Sequence, residues 1–358
     1  MRAVVLRAPR KLEMVDVPKP KLAEDEVLIR VGAVGVCGSD VRYYLGENPW
    51  ALHTLGLDLK EEKEFILGHE VSGDIIEEGA NVSKSRHGER VGVIAFKGCG
   101  KCYYCRRNMP NLCAATLHIG HDGGWKDIEY PPGGYADFMQ IWADKAQPIP
   151  DNVTYEEATQ LDGLAVAIHA NSRGSISHGD SVMIIGCGAI GLMLLQVARA
   201  RGAANVICVD TWEFPLKLAE RLGADHVLNP KETGNLSHEA VELTGGTGLN
   251  VVFDTVGEEQ TVGTGLRSLA RSGRYVTLAV TTAKMQLALT DVGGEKTITC
   301  SANNLYEDYP TAVELLASGK VKVKPFITHS MKLQDYALAF DMLLNKEAHN
   351  AVKIVLIP

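Results

Sequence analysis

Up to about residue 153 the chain carries short β-like runs, as at 26–36, 70–77 and 90–95, in a region rich in Gly and Pro. Short runs of this kind among Gly and Pro read as strands, so this region is expected to be mostly β, built around loops that carry polar residues. Residues 1–14 read as a first strand. From 154 to about 293 the pattern changes to short, largely apolar runs at 181–185, 205–209, 251–254 and 274–278, which read as strands. They alternate with segments of helical period at 190–201, 213–222 and 259–270. Strands alternating with helices predict right-handed βαβ units around a parallel sheet. The last stretch is mixed, with helices at 309–318 and 333–344 and a final strand at 352–357. The predicted fold is α/β: a β-rich domain, residues 1–153 and 294–358, interrupted by a doubly wound parallel-sheet domain, residues 154–293. A ligand site is expected in the cleft between two such domains.

Composition narrows the function. A chain of 358 residues, 46% apolar and 22% charged, has material for two full cores. A net charge of -8 with no run of Lys or Arg argues against a basic nucleic-acid-binding face and favours a small-molecule partner. The longest apolar runs, such as 189–198, are about half of the ~20 residues that cross a bilayer, so no membrane span is expected. No export signal is read at the start. Four of the eight cysteines crowd into 99–113, unlike a secreted disulfide framework, and a cytoplasmic location is the expectation.

Three groups of residues carry candidate chemistry. The strand at 181–185 runs into Gly186-Cys187-Gly188-Ala189-Ile190-Gly191 and then a helix. In Gly-x-Gly-x-x-Gly the first glycine makes the turn, the second lets the backbone approach a pyrophosphate, and the third packs helix on strand. The phosphates would sit on the helix N-terminus. The next strand ends in Asp210, where a carboxylate accepts from ribose hydroxyls and repels a 2′-phosphate, favouring NAD over NADP. The alternative is an ordinary strand-to-helix turn with a solvated Asp. Cys99, Cys102, Cys105 and Cys113 suit a closed tetrahedral zinc site of structural type. Two disulfides or an iron–sulfur cluster are the other readings, and the cluster's Cys-Pro ending is missing. Finally, Cys37 follows one β-like run and His69-Glu70 opens another. Each would more often be structural by itself, but Cys, His and a carboxylate together are the donors of an open catalytic zinc site.

Gly35-Val36-Cys37-Gly38-Ser39-Asp40, Gly68-His69-Glu70, the four-cysteine loop with Asn111-Leu112-Cys113, Gly133-Gly134-Tyr135-Ala136 and the glycine fingerprint follow one another in order. In this the chain resembles the zinc-dependent medium-chain alcohol/polyol dehydrogenases, sorbitol-dehydrogenase-like, over essentially its whole length. The resemblance implies a GroES-like catalytic domain around a Rossmann domain, with NAD and two zinc ions, one catalytic and one structural. It implies that Cys37 and His69 bind the catalytic zinc, with Glu70 a direct or alternating ligand. Asp162 stands where the family has a Glu near the metal, and Gly163 where it has a Pro, so Asp162 would ligate directly or through water. Ser39 resembles the family's relay hydroxyl. At the place of a relay His stands Arg42, which cannot shuttle a proton and could contact cofactor or substrate.

Tyr43 resembles a substrate-pocket Tyr, with plain packing as the alternative. Residues 300–306 lack the substrate-contacting Arg of the polyol branch. The segment 46–63, with Trp50 and His53, would line the entrance, and Met109, Met139, Trp125 and Trp142 are pocket walls or core. The implied reaction oxidises a secondary alcohol of a polyol, sugar or cyclitol to a ketone, zinc acting as Lewis acid and NAD taking the hydride. A threonine-dehydrogenase-like oxidation of an amino alcohol and a non-catalytic NAD-binding relative are the alternatives. The resemblance also implies a homo-oligomer, dimer or homotetramer, docked through the strand at 274–278 or the one near Thr297.

Overall fold

The computed structural model describes residues 1–60, 64–121, 125 and 128–358. It divides into two compact units, one of Met1–Asp162, Leu305–Ala317 and Phe326–Pro358, the other of Gly163–Asn304 and Ser318–Pro325. These limits fall later than the expected 153 and 293, for local reasons. Tyr155 belongs to the β-rich unit: its carbonyl accepts from Ser72 Oγ at 2.7 Å and its hydroxyl bonds Asp74. At the other end, Thr297–Cys300 pairs in parallel with Leu269–Thr277, so it belongs to the α/β unit.

In the first unit the strands run Ala146–Pro148, Arg90–Val93, Glu70–Glu78, Glu26–Val36, Lys353–Ile357, Ile327–Lys332, with Phe138–Trp142 also on Glu26–Val36. Only the last pair is parallel. Two register relations matter below: Gly35 faces Glu70, and Val36 faces Ile354. The expected first strand is a hairpin, Arg2–Ala8 against Lys11–Asp16, because Arg10 takes a left-handed φ of 62° and turns the chain back. Val27, Ile29, Val34, Tyr135, Met139 and Leu356 are among the side chains of its core.

In the second unit six parallel strands run in the order His226–Leu228, Asn205–Val209, Ser181–Ile185, Leu249–Asp254, Leu269–Thr277, Thr297–Cys300. Helices Ala189–Ala200, Glu213–Arg221 and Glu259–Ser268 connect them. The order reverses beside Ser181–Ile185, the place where ligands bind in open α/β sheets. The helix expected over 259–270 stops at Ser268, and the chain passes straight into a strand whose residues 274–277 pair with 251–254. The helix expected over 333–344 begins as a 3₁₀ turn, Leu333–Asp335, before Tyr336–Leu344. Among the described residues no helix is long and apolar enough to cross a membrane.

Candidate metal and cofactor sites

The four-cysteine loop brings one sulfur each from Cys99, Cys102, Cys105 and Cys113 within 4.8 Å of one another. Sulfurs held at ~2.3 Å from a tetrahedral zinc are themselves roughly 3.8 Å apart, so the cluster matches that ion. Backbone donors already favour thiolates: Cys99 N–H points to Cys113 Sγ at 3.4 Å and Cys105 N–H to Cys102 Sγ at 3.5 Å. The N–H groups of Lys101 and Cys102 pull the Cys99 thiol down to about 6. Burial, with neighbouring thiols, pushes Cys105 up to about 12. A zinc ion among them would hold all four as thiolates.

The second donor group is Cys37, His69 and Glu70, again within 4.8 Å. Cys37 ends the long strand Glu26–Val36 and caps the short helix Gly38–Tyr44, its N–H held by Asp40 Oδ2 at 2.8 Å. His69 and Glu70 open the neighbouring strand, so sheet register alone brings the three together. Glycine at 35 is part of the design, because a Cβ there would stand 2.1 Å from Glu70 Oε2. Behind His69 lies Asp40, fully buried, with Oδ1 3.4 Å from His69 Nδ1 and Oδ2 accepting from the Tyr135 hydroxyl at 3.0 Å. Asp40 Oδ1 and His69 Nδ1 are within ion-pair range, and among the described residues neither makes a hydrogen bond, so charge rather than a hydrogen bond links them. Burial works against charge on His69, but Asp40 and Cys37 outweigh it and raise its pKa well above the usual imidazole value. A metal entering here displaces a proton.

Glu70 has a partner that sequence reading missed. Lys353, on the last strand, donates from Nζ to both carboxylate oxygens at 2.7 and 2.8 Å and to Val36 O at 3.3 Å, all buried. The carboxylate is therefore shared between an ammonium and the metal position. Asp162 is not in the donor group. Its Oδ1 accepts from the Tyr309 hydroxyl at 2.6 Å, in keeping with the shorter reach of Asp in a place where the family has Glu.

Ser39 Oγ lies 3.4 Å from Nε2 of His121, a residue singled out by nothing in the sequence beyond its place in His118-Ile119-Gly120-His121. His121 forms a second, overlapping donor group with Asp40 and His69. His118 is held down at about 3 by burial and the charge of His69, and His121 is lowered well below the usual value by burial first, then by His69 and His118. Arg42 donates from Nε to Glu47 at 2.6 Å. Tyr43 is buried, its ring edge-on to Phe65 and its hydroxyl donating to Asn48 Oδ1 at 3.1 Å. Trp50 meets His118 edge-on, whereas Trp125 stacks on Trp142 and Met139 is buried with them in the core. Of the expected entrance segment, residues 61–63 lie outside the described residues.

In the α/β unit the three fingerprint glycines do three different things. Gly186 has a φ of +91° and a Cβ there would stand 2.2 Å from Thr255 Oγ1. A Cβ on Gly188 meets nothing within 4 Å, which leaves its backbone open to a ligand, while one on Gly191 would stand 1.9 Å from Gly186 O. Ala189 and Ile190 start the helix Ala189–Ala200. A cavity of about 630 Å³ is lined by Gly186, Asp210, Thr211, Asn235 and Glu258. Asp210 is oriented by Cys187 N–H on Oδ2 at 2.7 Å and Trp212 N–H on Oδ1 at 2.9 Å, and a carboxylate so held retains lone pairs for a ligand.

Residues 23–151 match the alcohol dehydrogenase GroES-like domain and residues 189–318 the zinc-binding dehydrogenase domain. The chain belongs to the zinc-dependent medium-chain dehydrogenases. A sorbitol dehydrogenase of Bacillus subtilis is 30% identical over 361 residues, covering 100% of this chain and 97% of that protein. An L-threonine 3-dehydrogenase of Pyrococcus furiosus is 32% identical, covering 92% of this chain and 91% of that one. An alcohol dehydrogenase of Escherichia coli CFT073, solved with NADH, superposes with a TM-score of 0.88 at 25% identity, covering 100% of this chain and 99% of that one. As a member of this family the chain is an oxidoreductase acting on alcohols or polyols.

Proposed function

We propose that this dehydrogenase oxidises a secondary alcohol of a polyol, sugar or cyclitol to the ketone, with NAD⁺ as hydride acceptor. The observation that carries the reading is the donor set Cys37, His69 and Glu70 with Asp40 oriented behind it. When bound there, zinc supplies Lewis acidity to the substrate hydroxyl oxygen and NAD⁺ supplies the hydride acceptor. Cys37 Sγ and a ring nitrogen of His69 would hold the ion, with the Asp40 carboxylate facing the imidazole. Glu70, held by Lys353, is a carboxylate that can approach or leave the metal without becoming an unpaired buried charge. Ser39 would accept the hydrogen bond of the substrate hydroxyl and relay a proton onward, giving up its own hydroxyl proton as it receives one. Asp210 would accept from the ribose hydroxyls of NAD, and Gly188 would lie under the pyrophosphate. Cys99, Cys102, Cys105 and Cys113 would hold a second, structural zinc.

An amino-alcohol substrate of the L-threonine type is the second reading, supported by the 32% identity to the Pyrococcus furiosus enzyme. We further propose a cytoplasmic homo-oligomer, a dimer or tetramer, in which the edge strand Thr297–Cys300, with Ile298 42% exposed, pairs with its copy. The test is NADH formation by the zinc-loaded enzyme with sorbitol, xylitol, myo-inositol, other secondary alcohols and L-threonine. Turnover of a polyol or cyclitol above L-threonine supports the first reading. Preference for L-threonine installs the second.

A further inference from the structure

With Arg42 engaged by Glu47, the side chain that meets the Ser39 hydroxyl comes from elsewhere in the fold. His121 Nε2 stands 3.4 Å from Ser39 Oγ, a long contact of the kind that tightens in a substrate complex. Its ring is wedged on three sides: edge-on to His69 at 4.1 Å between centroids, stacked on His118 at 5.4 Å, and tilted against Tyr43 at 5.2 Å. The opposite ring nitrogen, Nδ1, is buried with no hydrogen-bond partner among the described residues. A buried polar atom without a partner costs stability, and such exceptions are retained where the group does something else. Among the described residues the hydrogen-bonding contact of the wedged ring is the one to Ser39.

We propose that His121 is a positioning residue for Ser39. Its Nε2 accepts the Ser39 hydroxyl hydrogen, which turns the oxygen lone pairs of Ser39 away from His121 and toward the substrate hydroxyl. No bond is made or broken by His121, and its hydrogen bond fixes one rotor. The inference rests on the reading of Ser39 given above.

The test compares His121→Phe, which keeps a ring in the stack, and His121→Gln, which restores an amide near the Nε2 position. Both are made in the wild-type and Ser39→Ala backgrounds. On zinc-loaded enzyme, with the best compound of the alcohol panel, the readouts are kcat, KM and zinc content. His121→Phe is expected to lower kcat about tenfold, the worth of one hydrogen bond, with KM and zinc content little changed. His121→Gln should recover part of the loss, and His121→Phe should cost nothing further in Ser39→Ala. Independently of turnover, the ¹⁵N resonance of His121 Nε2 should move in Ser39→Ala. An undiminished kcat in His121→Phe, an equal loss in both backgrounds, an unmoved ¹⁵N resonance, or loss of zinc overturns the inference. Full activity of Ser39→Ala removes the reading of Ser39 and this inference together. An impaired Ser39→Ala beside a fully active His121→Phe removes the inference alone.

Discussion

Lys353→Met isolates what holds Glu70. Both side chains are almost wholly buried, 6% and 4% exposed, and the ammonium spans both carboxylate oxygens. Burial lowers the Lys353 pKa, but Glu70 and Cys37 outweigh it, so the group is raised above its ordinary value. A raised folded-state pKa means that the stabilisation is fully present below the unfolded pKa of about 10.4 and is lost only as pH climbs through the folded one. Between pH 6 and 9 Lys353 therefore keeps its charge in the wild type. Leaving one buried charge of a pair uncompensated costs about 3–5 kcal/mol, a third or more of a typical domain's stability. At about 2–4 °C per kcal/mol for a domain of this size, Tm should fall by roughly 6–20 °C in the zinc-free protein. Zinc should return more of that loss to Lys353→Met than it adds to the wild type, because the ion becomes the only cation near Glu70. The assay is thermal unfolding of wild type, Lys353→Met, Glu70→Gln and the double variant, with zinc and with chelator. The double variant should lie well above Lys353→Met. A Tm drop under about 2 °C in the chelated protein, or the same drop in the Glu70→Gln background, would refute the coupling.

Gly188→Ala should leave Tm unchanged, because the new Cβ meets no protein atom, yet weaken NADH binding in a fluorescence titration. Gly191→Ala should lower Tm as well, because its Cβ would stand 1.9 Å from Gly186 O. Asp210→Ser should narrow the ratio of kcat/KM for NAD⁺ over NADP⁺ by tenfold or more, since the repelling carboxylate is gone, and an unchanged ratio would count against its place at the ribose. Because His69 is raised, a proton competes with zinc, so apparent affinity at the Cys37 site should rise with pH between 6 and 8 by about tenfold per unit for one proton displaced. Competition with a chelator measures this, and affinity independent of pH would contradict it.

Much of the fold could be read in advance because burial writes itself into the pattern. Ser181–Ile185 and Asn205–Val209 were delimited to the residue, since strands covered on both faces are continuous apolar runs. The helix Glu259–Ser268 flows into Leu269–Thr277 without a Gly or Pro at the join, so its end was placed two residues late. The metal groups were legible where the donors are neighbours in sequence, as in the cysteine loop, or are carried by short motifs. What lay hidden depends on distant pairing. Lys353 meets Glu70 across 283 residues of chain because two strands flank Glu26–Val36, and Tyr309 reaches Asp162 across 147. His121 sits in a loop with no periodicity to mark it, and only the folded contacts with His69 and Ser39 reveal it.

The most direct test is zinc content and NADH formation measured together on the wild type and Cys37→Ser. The catalytic-zinc reading predicts about two zinc per chain with turnover in the wild type, and about one zinc with no turnover in Cys37→Ser, the cysteine loop staying filled. One zinc per chain in both proteins with equal turnover would contradict it.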